Sequence, residues 1–368
     1  MNLIPGGGAI QNLSDITLVM PTYNRPQYAL RGMMYWGKLG VNVLVFDGSK
    51  EPLPLYALEK IPVSIKYFHR PVGFYSRLQA ALNYIDTPYA SLVADDEFFL
   101  KSGLSAAIDY LDKNPDYVAC GGQAVGFWRA QEDIFVTKQY SGNSGFDLNH
   151  EDRAQRIKNH FSKYTPASVY ATVRSTDFIA AITAMTAHEF SVYSIGELQL
   201  EMFYAWRGKV KVLDHIYWLR SEENKPTRNT DPSLYPERRL EKWWLNCDNQ
   251  ADKKKFIEIM SRHMAVSGLE RSKTETAISV AMDAYVKFAI DYYSPRSMFS
   301  KIANSVSYKL RAALGLGDHS MSAVQMMKIL DQYPAAVSDA AHDDLSNIYR
   351  MLCAWYGSSN HKVSNRFE

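Results

Sequence analysis

Cysteine is scarce in this 368-residue chain: Cys120, Cys247 and Cys353 lie far apart and form no Cys-x-x-Cys pair. That argues against a disulfide framework and a zinc–thiolate site, and it fits a reducing cytoplasm. Long apolar runs are missing too, since no stretch reaches the ~18 residues that a membrane-crossing helix needs. Met1 to Ile10 is short and Gly-rich, without a basic stretch or a long apolar core, so no signal peptide is expected. Neither sign of charge dominates. The net charge is +2, and nothing global points to nucleic acid. Three glycine signatures are also absent. No Gly-x-Gly-x-x-Gly follows the first strand, no Gly-x-x-x-x-Gly-Lys-Ser/Thr occurs, and there is no Gly-x-Ser-x-Gly. A dinucleotide-dependent dehydrogenase, a P-loop enzyme and an α/β-hydrolase are thereby disfavoured.

What remains is an ordinary globular composition, 46% hydrophobic and 22% charged, long enough for one large domain and a smaller one. Aromatic residues make up 13%, with 24 tyrosines. Sugar-handling sites use aromatic faces, although core packing accounts for most aromatics. The N-terminal half alternates strands and helices. A β-rich run at 16–20 ends at Pro21, and Thr22 to Pro26 reads as a polar loop. A helix over 27–39 closes at Gly40, and a second strand over 41–46 ends in Asp47-Gly48-Ser49. A third strand spans 63–68, a helix follows over 75–84, and a fourth strand with Tyr89, Leu92 and Val93 runs into Asp95-Asp96-Glu97. Such alternation predicts a mostly parallel sheet with right-handed crossovers. Ligands of such sheets bind outside the carboxyl ends of the strands, where each of these polar clusters falls. The clusters at 21–25, 47–49 and 95–97 are therefore expected to line one crevice. Three adjacent carboxylates repel one another and resist desolvation, which calls for a cation. Their hard oxygens suit Mg²⁺ or Mn²⁺, ions that bridge to substrate phosphates. The competing reading is a solvated acidic turn.

The stretches "ITLVMPTYNRP", "VLVFDGS" and "ADDEF", in this order and spacing, resemble the inverting family 2 glycosyltransferases. The resemblance covers roughly residues 15–220. It implies an α/β fold: a GT-A (nucleotide-diphospho-sugar transferase) domain with a mostly parallel mixed sheet, followed by an all-helical C-terminal domain. The implied donor is a nucleotide-diphosphate sugar, a UDP-sugar first of all, and the implied cofactor a divalent metal, Mn²⁺ or Mg²⁺. By resemblance Pro21, Thr22 and Tyr23 flank the base, with Arg25 near it. Asp47 hydrogen-bonds the base, Ser49 belongs to the same donor loop, and the acidic motif holds ribose and metal. The motif departs from the usual Asp-x-Asp. Alignment on the trailing aromatic and leucine puts Ala94 at the first Asp and Asp96 at the second. Asp96 is then the metal contact and Asp95 the ribose or outer partner, while a shift of one would use Asp95 and Glu97. Arg77 stands one residue off the family's donor-binding arginine, and a surface arginine is the competing reading.

Residues 104–114 read as a helix, 117–119 as a strand and Gly121-Gly122 as a turn, with a hairpin or loop over 124–150. Phe127, Trp128 and Tyr140 serve either as sugar-stacking faces or as core. An inverting transfer needs a base that deprotonates the acceptor hydroxyl. The family's Asp at that position is Leu198 here, so Glu197 is the substitute and Glu201, one turn on, the second candidate. Glu197 also reads as a helix N-terminal acid favoured by the dipole. His215 is a metal ligand by resemblance or else a structural histidine. Arg220 and Lys225 read as solvated or as diphosphate contacts.

Near residue 225 the composition changes, with Pro226, Pro232 and Pro236 close together. The expected division is a GT-A domain over 1–225 and a helical domain over 226–368, with helices at about 237–247, 251–267, 271–292, 296–314, 320–332 and 338–355. Phe299, Ile302, Val306 and Leu310 share one face, flanked by Lys301, Lys309 and Arg311. That face suits peripheral contact with an anionic membrane or packing in a bundle. The expectation is a metal-dependent inverting glycosyltransferase of the cytoplasm, at the inner face of the membrane, acting on a glycan or lipid-linked acceptor in bacterial surface polysaccharide synthesis. The alternatives are an inactive relative that binds glycans or serves as a scaffold, and a sugar-phosphate nucleotidyltransferase.

Overall fold

The computed structural model describes residues 13–130, 133–192, 194–224, 239–265, 270–294 and 339–357. Its first half follows the alternation: β1 (Ile16–Thr22), α1 (Pro26–Leu39), β2 (Asn42–Asp47), α2 (Leu55–Leu58), β3 (Ile65–His69), α3 (Phe74–Ala81) and β4 (Tyr89–Leu92). Helix α1 opens with Pro26, whose fixed φ suits a first turn. It stops at Gly40, which takes the left-handed conformation at φ 69°. Strands β1, β2 and β3 pair in parallel, and β4 pairs in parallel with the other side of β1. The chain thus steps outward from β1 to β3 and then returns. The gap between β1 and β4 is the point at which the winding reverses, where such sheets bind ligands.

The second half comprises β5 (Phe98–Phe99), α4 (Lys101–Lys113), β6 (Tyr117–Ala130), β7 (Asp133–Lys138), β8 (Asp147–Leu148), α5 (Arg153–Ser162), β9 (Thr172–Arg174), α6 (Ser175–Thr186), α7 (Ile195–Arg207) and β10 (Lys209–Ser221). The sheet order is β3-β2-β1-β4-β9-β6-β10-β5, with β7 on β6 and β8 on β10. Strand β9 is antiparallel to both β4 and β6, so the sheet is mixed. The expected turn at Gly121-Gly122 is instead the middle of β6, which runs for 14 residues. Gly122 serves packing: a Cβ there would lie 2.4 Å from the His215 carbonyl oxygen, where β10 bulges against it.

Period-two alternation builds a core on each face of the sheet. Ile16, Leu18 and Met20 of β1 and Val43 and Val45 of β2 join Met33 and Trp36 of α1 and Leu104 and Ile108 of α4. Val19, Leu44 and Phe46 face the other way, toward α3, α6 and α7. Beyond β10 come α8 (Leu240–Leu245), α9 (Gln250–His263), α10 (Arg271–Tyr292) and α11 (Asp339–Gly357). Their apolar residues enter the same two cores. Trp243, Phe256, Ile259, Ile278 and Met282 join the α5–α7 side, and Leu345, Ile348 and Leu352 join the α1–α4 side. The expected helices at 296–314 and 320–332, the proline stretch at 226–236 and Lys225 lie outside the described residues. No helix among the described residues is long and apolar enough to cross a membrane.

Candidate active site

Strand register sets the first contacts. Val19 of β1 lies opposite Leu92 of β4, so three residues further on Thr22 meets Asp95. The Thr22 hydroxyl donates to Asp95 Oδ2 at 2.7 Å. On the other side of β1, Thr22 lies opposite Asp47, the last residue of β2. Parallel pairing thus brings the three strand ends side by side.

Asp47 is buried and its carboxylate is oriented by its neighbours. Oδ1 accepts from the Ser49 amide at 2.8 Å and from the Ser49 hydroxyl, and Oδ2 accepts from the Tyr67 hydroxyl at 2.7 Å. Ser49 Oγ in turn accepts from the Asn24 amide at 2.8 Å, joining the loops after β1 and β2. Asn24 has φ 54°, a conformation its side chain tolerates, and this turns the chain so that Arg25 points back to the acids. Arg77 is buried beneath both loops and donates to the carbonyls of Thr22 and Phe46. Gly48 makes room for it, because a Cβ there would come within 2.6 Å of the guanidinium. Tyr23 is about half exposed, with the Arg77 guanidinium 6.0 Å from its ring centre. Beside Asp47 and Ser49 opens a cleft of about 500 Å³, walled by Pro26, Leu30 and Met34 of α1, the 50–61 connection and Trp355 of α11.

The acidic turn is bound more tightly than a solvated turn would be. Asp95, Asp96 and Glu97 are all more than nine-tenths buried. Arg25 Nη1 bridges Asp95 Oδ1 at 3.1 Å and Asp96 Oδ2 at 3.2 Å, and Asn224 Nδ2 donates to the same Asp96 oxygen at 2.8 Å. Burial, with the Asp96 charge beside it, pushes the Asp95 carboxyl up to about 6 against the pull of Arg25. Glu97 turns away from this pair and accepts from Trp218 Nε1 at 2.8 Å. Burial pushes its carboxyl well above the ordinary range. His215 is exposed in mid-β10, beside the bulge. Among the described residues no three His, Cys, Asp or Glu side chains converge as a metal cage, so His215 and the acids do not form one set. Asp95 and Asp96, already bridged by a guanidinium, have the chemistry of a two-carboxylate site that a divalent ion shares with substrate phosphates.

The two candidate bases lie on α7. Glu197 is exposed and accepts from the Tyr164 hydroxyl. Leu198 points into the core, 2% exposed. Glu201 is also buried, with its oxygens taken. Oε1 accepts from the Ser168 and Val169 amides at 2.7 and 3.1 Å, and Oε2 meets the Ser168 hydroxyl at 2.6 Å and His160 Nε2 at 2.8 Å. It thereby holds the loop that carries Tyr170, whose ring packs on Trp218 at 4.7 Å. Tyr140 stacks on the same indole at 5.6 Å, in the left-handed region at φ 47°, with the Arg220 guanidinium 5.8 Å from its ring. Burial pushes the Tyr140 hydroxyl up to about 12; Arg220 opposes the rise, and Glu197 and Glu97 add to it. Phe127 is core, packed 5.9 Å from Phe98.

Sequence reasoning missed Tyr67, Trp218, Asn224 and above all Arg31. Arg31 is fully buried in α1 and binds Glu223 and the Asp96 carbonyl. An arginine inside Leu30-Arg31-Gly32-Met33-Met34-Tyr35-Trp36 was the available signal, because a charge amid so apolar a stretch requires a buried partner.

Residues 17–170 match the family model described as Glycosyl transferase family 2. No curated protein gives a match. Among solved structures, S. aureus TarS 1-349 in complex with UDP-GlcNAc has 14% identity and a TM-score of 0.46, covering 91% of each chain. S. aureus TarS 1-349 in complex with UDP has 15% identity and a TM-score of 0.38, covering 76% of this chain and 91% of that one. The matched segment holds β1, β2, β4 and the three polar strand ends, so residues 17–170 are similar to the family 2 glycosyl transferases.

Proposed function

We propose that the protein transfers a sugar, with inversion, from a nucleoside-diphosphate sugar to a hydroxyl of a glycan or lipid-linked acceptor. A UDP-sugar is the first donor to test, and surface polysaccharide synthesis the setting. The carrying observation is the bonded set Thr22, Arg25, Asp95 and Asp96 at the reversal of the sheet, next to Asp47. Asp47 would accept from the base, beside Pro21, Tyr23 and Ser49, with Arg77 holding both donor loops in place. Asp96 and Asp95 would hold a divalent ion, as the family commonly does, and that ion would neutralise charge on the departing diphosphate. Arg25 adds a fixed cation to the same turn.

Glu197, the exposed carboxylate of α7, would take the proton from the acceptor hydroxyl as that oxygen attacks the anomeric carbon. Glu201 has its oxygens filled and would position the Tyr170 loop instead. We assign the chemistry to residues 1–225 and treat the helices from 226 onward as its support. Leu198 in the core, where the family places its base, favours a second reading in which the chain binds nucleotide sugar without turning it over.

The test is to incubate the protein with several nucleotide sugars, with Mn²⁺ or with EDTA, and to measure free nucleoside diphosphate. Release that EDTA abolishes, and that both Asp96→Ala and Glu197→Ala reduce at least 100-fold, is the expected result. Nucleotide binding without release on any acceptor would favour the second reading. Pyrophosphate released from a nucleoside triphosphate would point to a nucleotidyltransferase.

A further inference from the structure

The last turn of α11 reaches the donor side of the crevice twice. The Tyr356 hydroxyl accepts from Arg31 Nη1 at 2.9 Å. Trp355, next in sequence, forms part of the cleft wall beside Asp47 and Ser49. Arg31 holds the acidic turn directly. Nη1 and Nη2 both reach Glu223 Oε2 at 3.0 Å, and Nη2 also donates to the Asp96 carbonyl at 3.1 Å. Its guanidinium lies 4.9 Å from the ring centre of Tyr28 and 5.2 Å from that of Phe98. A charge wholly removed from water takes its position from the groups that satisfy it. Here these are a carboxylate, a carbonyl and a hydroxyl. The first two belong to the segments that frame the acids, since Asn224, adjacent to Glu223, binds the Asp96 carboxylate. The hydroxyl comes from the far end of the chain. Helix α11 does not need this contact to stay docked. Asp344 near its start accepts from the Ser102 amide and hydroxyl at 2.7 and 2.6 Å, and Leu345, Ile348 and Leu352 are buried in the core.

We propose that Tyr356, acting through Arg31, is a positioning residue for the Asp95–Asp96 turn, and that α11 is thereby part of the donor-binding machinery. The proposal rests on reading the crevice as a nucleotide-sugar site. Tyr356→Phe keeps the ring near Arg31 and removes only the hydroxyl, so it tests what the hydroxyl contributes. Two measurements decide. In amide hydrogen exchange, Tyr356→Phe is expected to speed exchange over 94–97 several-fold and to leave β2 unchanged. In titration with UDP and Mn²⁺ its Kd is expected to rise about fivefold to tenfold, as fits loss of one hydrogen bond to a charged group. The donor KM should follow, while kcat stays within about twofold. Arg31→Lys, which keeps the charge and loses the fork, should show the same pattern more strongly. Unchanged exchange over 94–97 in Tyr356→Phe overturns the proposal, as does unchanged UDP affinity in a protein whose wild type binds UDP. A wild type that binds no nucleoside diphosphate overturns the functional reading instead, and exchange then decides on Tyr356 alone.

Discussion

Glu197 and Glu201 are one helical turn apart on α7 and have opposite surroundings. Glu197 is exposed, with Tyr164 as a hydrogen-bond donor, while Glu201 is 1% exposed and accepts from His160, Ser168 and Val169. A carboxylate that is to accept a substrate proton needs open access, and one with filled lone pairs in the core has none. Removing a buried acceptor leaves its donors unsatisfied, which costs about 1–3 kcal/mol. Glu201→Ala is therefore expected to lower unfolding free energy by that amount in urea titration. Glu197→Ala should change stability by no more than about 1 kcal/mol and should lower kcat by about 100-fold to 10,000-fold. The reverse order of the two stabilities would exchange their roles.

At the scale of elements, the ends of α4 and α11 support each other. Leu100 precedes α4 and offers no side-chain cap. Asp344 of α11 takes that place from outside, accepting from the Ser102 amide in the first turn, where the helix dipole favours an anion. Asp344→Ala is expected to destabilise by about 1–2 kcal/mol, the size of a lost cap. The denaturant midpoint should fall with the slope unchanged, because the surface exposed on unfolding stays the same. Gly122 shows a similar dependence between elements. Its place inside β6 rather than in a turn follows from the close approach of β10, which a local pattern does not record.

At the scale of the whole molecule, the helices beyond β10 complete the cores of the α/β part. Trp206 of α7 donates from Nε1 to the Met264 carbonyl at 2.7 Å, and Tyr285 of α10 sits edge-on to Tyr164 at 5.3 Å. A fragment ending at residue 224 would expose the faces of α5, α6 and α7 as one large apolar surface, which soluble monomers rarely carry. Such a fragment is expected to elute as an aggregate in size-exclusion chromatography, whereas the full chain elutes as a discrete species. A monomeric fragment with native circular dichroism would show that the α/β part is self-sufficient.

Much of the fold was legible in the residues themselves. Period-two and helical patterns marked β1 to β4 and the helices between them, and a parallel α/β order leaves the carboxyl ends of its strands on one edge whatever the details of packing. The proximity of the loops after β1, β2 and β4 follows from that rule. Helices α5 and α6 and the short β9 went unread in the stretch from 150 to 193. The sequence by itself thus determined the alternation of the first four strands with their helices and the resemblance carried by residues 17–170. Only the tertiary structure decided that Arg25 bridges Asp95 and Asp96, that Glu97 turns to Trp218 and that Glu201 is buried while Glu197 is exposed. It also decided that Arg31 joins the acidic turn to Tyr356. The reason is physical: periodicity records which face of an element is buried, whereas the partner of a buried charge is set by elements that meet only on folding.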